Sequence, residues 1–315
     1  MLAWLVRRLL ALATTLLVAS AVIFVVLEVL PGDPALVMLG IEAREDTLAA
    51  LRAELGFDRP PLERYVTWVA GFASGELGRS HTYAVPVAGL VAERLRVTVP
   101  LALSAFALSA LLAIPLGTFA AMRRGRAGDW TVMGFSQLGV AVPNFWIGII
   151  GILVFAVGLG WLPAGGFPGW SEGIGAAIAA LVLPALALAL PEAAILARVT
   201  RSAVLETLGA DFVRTARAKG RGEAGVMARH VLRNALIPMT TVMGLQFAIL
   251  LAGSIVVENV FSLPGLGRLV FQAVNQRDLI VVRDVTMLVV AFVIAVNFII
   301  DLLYALIDPR PKAMS

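Results

Sequence analysis

The chain has no cysteine among its 315 residues, which excludes disulfide staples, thiolate nucleophiles and cysteine-based metal or iron–sulfur sites. Histidine is almost as scarce. His81 and His230 are the only two and stand in separate polar segments, so a His-rich metal site is not expected. Lysine also occurs twice, as Lys219 followed by Gly220 and Lys312 followed by Ala313. A phosphate-cradling loop of the form G-x-x-x-x-G-K-[ST] requires Ser or Thr after its lysine, so the chain carries no P-loop of its own. H-E-x-x-H does not occur, and no catalytic residue is assigned.

Apolar residues fill the space that these absences leave. They make up 60% of the chain, charged residues only 15%, and the mean hydropathy is +0.91. That is too apolar for a water-soluble domain and reads as an integral membrane protein. The pI near 10.1 is not a nucleic-acid signature, because the formal charge is only +4 and the arginines lie in loops that flank apolar runs. Runs long enough to cross a hydrocarbon core of roughly 30 Å, about 20 residues as a helix, occur at 9–30, 97–121, 132–159, 174–197, 235–257 and 285–307. Unpaired backbone polar groups are costly in lipid, so each run is predicted to be helical; strand-like alternation is absent, which excludes a barrel. Arg7 and Arg8 ahead of an apolar run, with Ala11-Leu12-Ala13 inside it, imitate a secretion signal. The run continues to Leu30, and the reading is an uncleaved first span.

Arginines in short loops stay on the cytoplasmic side. Arg7 and Arg8, the cluster Arg123, Arg124 and Arg126, an island at 198–233, and Arg310 with Lys312 share that side, whereas 160–173 contains no Lys or Arg. Both termini are therefore expected in the cytoplasm, with 31–96 and 258–284 outside. In the outer segment, Leu48, Leu51 and Leu55 predict a helix over 47–56, with Thr47 as N-cap and Gly56 as terminator. Tyr65, Trp68, Val69 and Phe72 share one helical face, which either anchors the headgroup zone or meets a partner outside. Prolines 100, 115, 143, 184 and 191 lie inside the spans and predict kinks and close packing, a few of them marking helices that bend as a pathway opens. Glu28, Glu192 and Asp301 are acids within or near apolar runs, read as partly solvated ends and interhelical pairs, the other reading being a proton relay. Asn144 and Asn297 either bond across helices or line a translocation path.

The island holds eight Lys/Arg against three acids. Val204, Leu208, Phe212 and Ala216 at i, i+4 spacing predict one amphipathic helix over 198–219; Gly220–Gly222 allow a turn, and a helical pattern resumes from Val226 into the fifth span. Such a helix presents a face either to a soluble partner or to anionic lipid.

Ten ordered blocks make the chain resemble, over nearly its full length, the permease subunits of bacterial ABC importers of the dipeptide, oligopeptide, nickel and glutathione group. They are VRRLL, VLPGDP, LGFDRP, GELGRS, VPNFWIG, LGWLP, DFVRTARAKG, RHVLRNALIP, VVENVFSLPGLGRLV and DLLYALIDPR. The resemblance implies an all-α membrane protein of six transmembrane helices with the type I ABC importer fold and a periplasmic insertion after the first helix. Residues 1–93 would form the first helix and periplasmic segment, 94–308 a five-helix core with a cytoplasmic coupling loop at 198–236, and 309–315 a cytoplasmic tail. It implies inward transport of a peptide-like solute, peptide, glutathione or a nickel complex, with ATP and Mg bound by partner ATPases and no cofactor on this chain. The implied partners are a homologous second permease subunit, two ATPase subunits or domains, and a periplasmic or lipid-anchored substrate-binding protein. The coupling residues carried over are Asp211, Phe212, Arg214, Thr215, Ala216, Arg217, Ala218, Lys219 and Gly220. The family pattern E-A-A-x-x-x-G followed by I-x-L-P appears here as Arg214-Thr215-Ala216, Gly220 and His230-Val231-Leu232-Arg233, so Arg214 replaces the glutamate and Arg233 the proline. An ion-coupled carrier using Glu192 or Asp301 is the alternative, and neither inverted repeats nor midplane acids stand out for it.

Overall fold

The computed structural model describes residues 2–29, 44–54 and 58–307. Their secondary structure is almost wholly helical: α1 (Leu2–Val29), α2 (Glu45–Glu54), α3 (Pro61–Ser74), α4 (Val87–Met122), α5 (Ala127–Ala141), α6 (Asn144–Gly158, its last seven residues π-helical), α7 (Ile174–Leu208), α8 (Asp211–Ala218), α9 (Glu223–Val260), α10 (Leu266–Asn275) and α11 (Leu279–Ile307). Among the described residues five helices, in α1, α4, α7, α9 and α11, are long and apolar enough to cross a membrane, and α5 with α6 forms a sixth crossing if the bent pair is one span. The chain is a membrane-embedded protein.

The expected single span over 132–159 is broken. α5 and α6 meet at 98° because Pro143 has no N–H to give and forces Val142 out of the helical region, to φ −92° and ψ 123°. Pro184 and Pro191 by contrast sit inside an unbroken α7. At about 1.5 Å per residue, the 35 residues of α7 reach roughly 52 Å. The rod outlasts the hydrocarbon core and carries 198–208 with it.

The chain divides into two compact units, Met1–Arg96 with Gly265–Ile294 and Val97–Pro264 with Ala295–Ser315. In the first, Val87, Val91, Leu266, Leu269, Ala273, Val281 and Val285 form the core. α2 begins at Glu45, so Thr47 lies in its first turn rather than at the N-cap; Gly56 lies outside the described residues. The aromatic face of α3 turns inward, contrary to both expected readings. Tyr65 Oη lies 2.9 Å from Ser20 Oγ, Phe24 meets the Tyr65 ring edge-on, and Trp68 donates from Nε1 to Asp284 Oδ1 at 2.6 Å. Trp68 and Asp284 are both buried, and the Arg283 guanidinium lies 4.8 Å over the Trp68 ring. Each buried polar atom named here finds a partner in another helix, which overrides the amphipathic pattern of α3 alone.

In the second unit α7 is the spine. Its buried face is largely alanine, including Ala177, Ala180, Ala187, Ala189, Ala193, Ala194 and Ala197, and small side chains let helices approach to backbone contact. A Cβ on Gly117 of α4 would stand 2.5 Å from the Ala197 carbonyl oxygen, and one on Gly139 of α5 2.8 Å from Ala194 Cβ. Only glycine fits at these crossings.

Candidate functional site

The basic island does not fold as one helix over 198–219. α7 runs through Arg198 and Arg201 to Leu208, Gly209 and Ala210 break it, and α8 starts anew at Asp211. The break shifts the helical phase. Val204 and Ala216 are buried as expected, but Val213 takes the inward place and Phe212 is exposed. Val213 and Ala216 belong to one apolar cluster with Ala113 and Ala121 of α4, Leu196 and Val204 of α7, and Val226, Val231, Ala235 and Met239 of α9. A short surface helix is thereby seated on three long ones.

The opposite face is polar and open. Asp211 and Arg214 side chains are 95% and 77% exposed and approach one another at 3.7 Å; Thr215 Oγ1 donates to the Asp211 carbonyl oxygen. Of the nine coupling candidates only Ala216 is buried, while Asp211, Phe212, Arg214, Thr215, Arg217, Ala218, Lys219 and Gly220 are exposed. Gly220 adopts φ +77° with open space around its Cβ position, the left-handed turn that lets the chain reverse into α9. Across that turn Arg217 donates from Nε and Nη2 to the two oxygens of Glu223 at 2.8 and 3.0 Å, and this bond raises the guanidinium pKa further above its ordinary value. Behind the hairpin lies a cavity of about 640 Å³ lined by Arg221, Ala228, Arg229, His230, Arg233 and Asn234, with no acid in its wall. The backbone there, 227–232, is π-helical, a form frequent at functional sites.

The pathway candidates are separate. Asn144 begins α6 just past the break, its amide nitrogen 3.1 Å from where a Cβ on Gly253 of α9 would stand, so it packs between helices. Asn297 is half-buried on α11, and no hydrogen bond joins the two among the described residues. Glu192 is buried within α7, where its carbonyl accepts Gln246 Nε2 at 3.0 Å and its Oε2 has no partner among the described residues. The side chains of Glu28 and Asp301 lie outside the described residues.

Sequence reasoning missed three polar anchors: Trp68 on Asp284, Thr98 Oγ1 donating to buried Glu258 at 2.7 Å, and a bidentate pair in which Arg201 meets Asp129 at 2.6 and 2.7 Å. One signal was available for the last. Asp129 is the single acid beside Arg123, Arg124 and Arg126.

The family profile described as binding-protein-dependent transport system inner membrane component matches residues 113–313, and the profile of that component's N-terminal part matches residues 1–102. A putative peptide transport system permease protein of Brucella abortus is 41% identical over 313 residues, 99% of both chains. The glutathione transport system permease protein GsiC of Escherichia coli K12 is 38% identical over 309 residues, 98% of both. In fold, the chain is similar to one solved in inward-facing conformations of the MetNI methionine ABC transporter, with TM-score 0.57 and 18% identity, covering 70% of this chain and 96% of that one. With the helices, the seated hairpin and these likenesses in agreement, the chain belongs to the binding-protein-dependent transport system inner membrane components, the permease subunits of ABC importers.

Proposed function

We propose that this permease forms one half of a channel that carries a peptide-like solute, a di- or oligopeptide or glutathione, into the cytoplasm with energy from separate ATPase subunits. The observation that carries the reading is the two-faced hairpin. Val213 and Ala216 root α8 in the apolar cluster of α4, α7 and α9, while Phe212, Arg214 and Lys219 are exposed on the other side. A soluble partner that grips the free face pushes on three spans at once. ATP and Mg belong to that partner, since this chain has no P-loop lysine.

The positive-inside pattern puts the hairpin and both termini in the cytoplasm. Residues 31–96 and 258–284 then face outward, where a substrate-binding protein delivers cargo. A homologous permease subunit supplies the other half of the channel.

The test is isolation of the tagged chain in mild detergent. Two ATPase chains or domains and a second permease are expected to co-purify, and Ala216→Asp is expected to abolish their capture. A chain that purifies alone and transports solute on a proton gradient would instead be an ion-coupled carrier.

A further inference from the structure

The hairpin's seat is apolar, and apolar contact is non-directional. One contact nearby is directional. Asp129 stands in the first turn of α5, nearly buried, and uses both carboxylate oxygens: Oδ1 accepts Arg201 Nε at 2.6 Å and Oδ2 accepts Arg201 Nη2 at 2.7 Å. Oδ2 also accepts the backbone N–H of Gly125 at 3.0 Å, closing the turn of the α4–α5 connection. The side chains are 6% and 25% exposed, so water competes little for this fork, and a bidentate guanidinium–carboxylate pair fixes direction as well as distance.

Its position gives it consequence. Arg201 lies about two helical turns before Leu208, where α7 gives way to the hairpin. Beside it, Thr200 and the Ala197 carbonyl leave no room for a Cβ on Gly117 of α4. α5 in turn leads straight into the 98° break at Val142–Pro143.

We propose that Asp129 and Arg201 are a positioning pair for transport, a strut that makes α5 follow α7 so that displacement of the α8 hairpin reaches the broken third span. This rests on the reading of 198–236 as the ATPase-coupling loop. With the strut intact, α5 and α7 move as one body. Without it, the apolar contacts let α7 slip past α5, and ATP is spent without moving the break.

The absence of cysteine makes the test direct. Spin labels at Thr131→Cys on α5 and Ser202→Cys on α7, both exposed positions, report the separation of the two helices in the assembled, reconstituted transporter. In the otherwise unaltered chain that separation is expected to be the same with and without bound ATP. In Asp129→Asn it is expected to differ between the two states, and solute moved per ATP hydrolysed to fall at least about fivefold, the lower end of typical coupling between linked sites. Arg201→Lys keeps the charge but loses the fork; it is expected to show the same change more weakly, and decides the matter if Asp129→Asn does not assemble. A separation that shifts with ATP in the unaltered chain overturns the strut. So does a variant in which transport and hydrolysis decline in parallel at an unchanged ratio. Failure of any ATPase to co-purify is a different result, and removes the coupling-loop reading itself.

Discussion

Gly117 carries the tightest approach between α4 and α7, with the backbone oxygen of Ala197 at 2.5 Å from its would-be Cβ. A backbone atom cannot rotate away as a flexible side chain does, so Gly117→Ala has to push the helices apart. Overpacking of this kind costs about 1–3 kcal/mol. Gly175 sits in the same long helix α7 with open space around it, and Gly175→Ala is expected to stay within about 0.5 kcal/mol of the parent. Thermal unfolding of the two variants in detergent checks the contrast. Trp68→Phe is expected to cost about 1–3 kcal/mol by a different route, since Asp284 Oδ1 loses its indole donor while remaining buried. None of these residues was singled out for its true contact from the sequence. A glycine at a helix crossing and one in open space read alike, and an inward Trp looks like an interfacial Trp until its acid partner, far along the chain, is known.

At the scale of elements, hydropathy located the five long apolar helices and the region of the bent pair, because the cost of bare backbone in lipid leaves helix as the only answer for a long apolar run. What the pattern left out were the ends and the breaks. α7 was expected to stop near Ala197 and continues to Leu208, since alanine, leucine and arginine are all good helix formers and polar residues do not end a helix in water. Gly209–Ala210 does end it, and the phase shift exchanges Val213 for Phe212 on the buried side. The coupling candidates were named through the resemblance, and the exposure of all but Ala216 is what the fold adds. The arrangement separates two kinds of substitution in α8. Ala216→Asp drives a carboxylate into the cluster around Val204 and Met239 and is expected to unseat the hairpin. Arg214 is exposed and, among the described residues, pairs with Asp211 alone, so Arg214→Ala is expected to leave folding unchanged within about 0.5 kcal/mol while weakening capture of the ATPase. Melting curves paired with pull-down of the ATPase distinguish the two.

At the scale of the whole molecule, charge decides which way the chain lies and what it meets. The island 198–233 has a surplus of five positive charges, eight basic against three acidic residues, and retention of such loops orients a multispan protein in the membrane. Trp161, 70% exposed in the Lys- and Arg-free loop 160–173, is expected on the opposite side in the proposed orientation. Because no native thiol competes, Trp161→Cys is expected to react with a membrane-impermeant maleimide on intact spheroplasts, and Lys219→Cys only after the membrane is opened; the reverse labelling pattern would put the hairpin outside, beyond reach of any cytoplasmic ATPase. The same surplus predicts how the partner is held. Arg221, Arg229 and Arg233 converge on a cavity that has no acid in its wall; if the proposed ATPase docks there, an acidic surface is the expected complement, and attraction between exposed charges fades as the screening length shortens from about 10 Å at 0.1 M salt to about 3 Å at 1 M. Association measured across that range is expected to weaken steadily for the parent chain. Arg229→Ala with Arg233→Ala is expected to bind more weakly at low salt and to lose much of the salt dependence, because two of the charges that salt screens are gone.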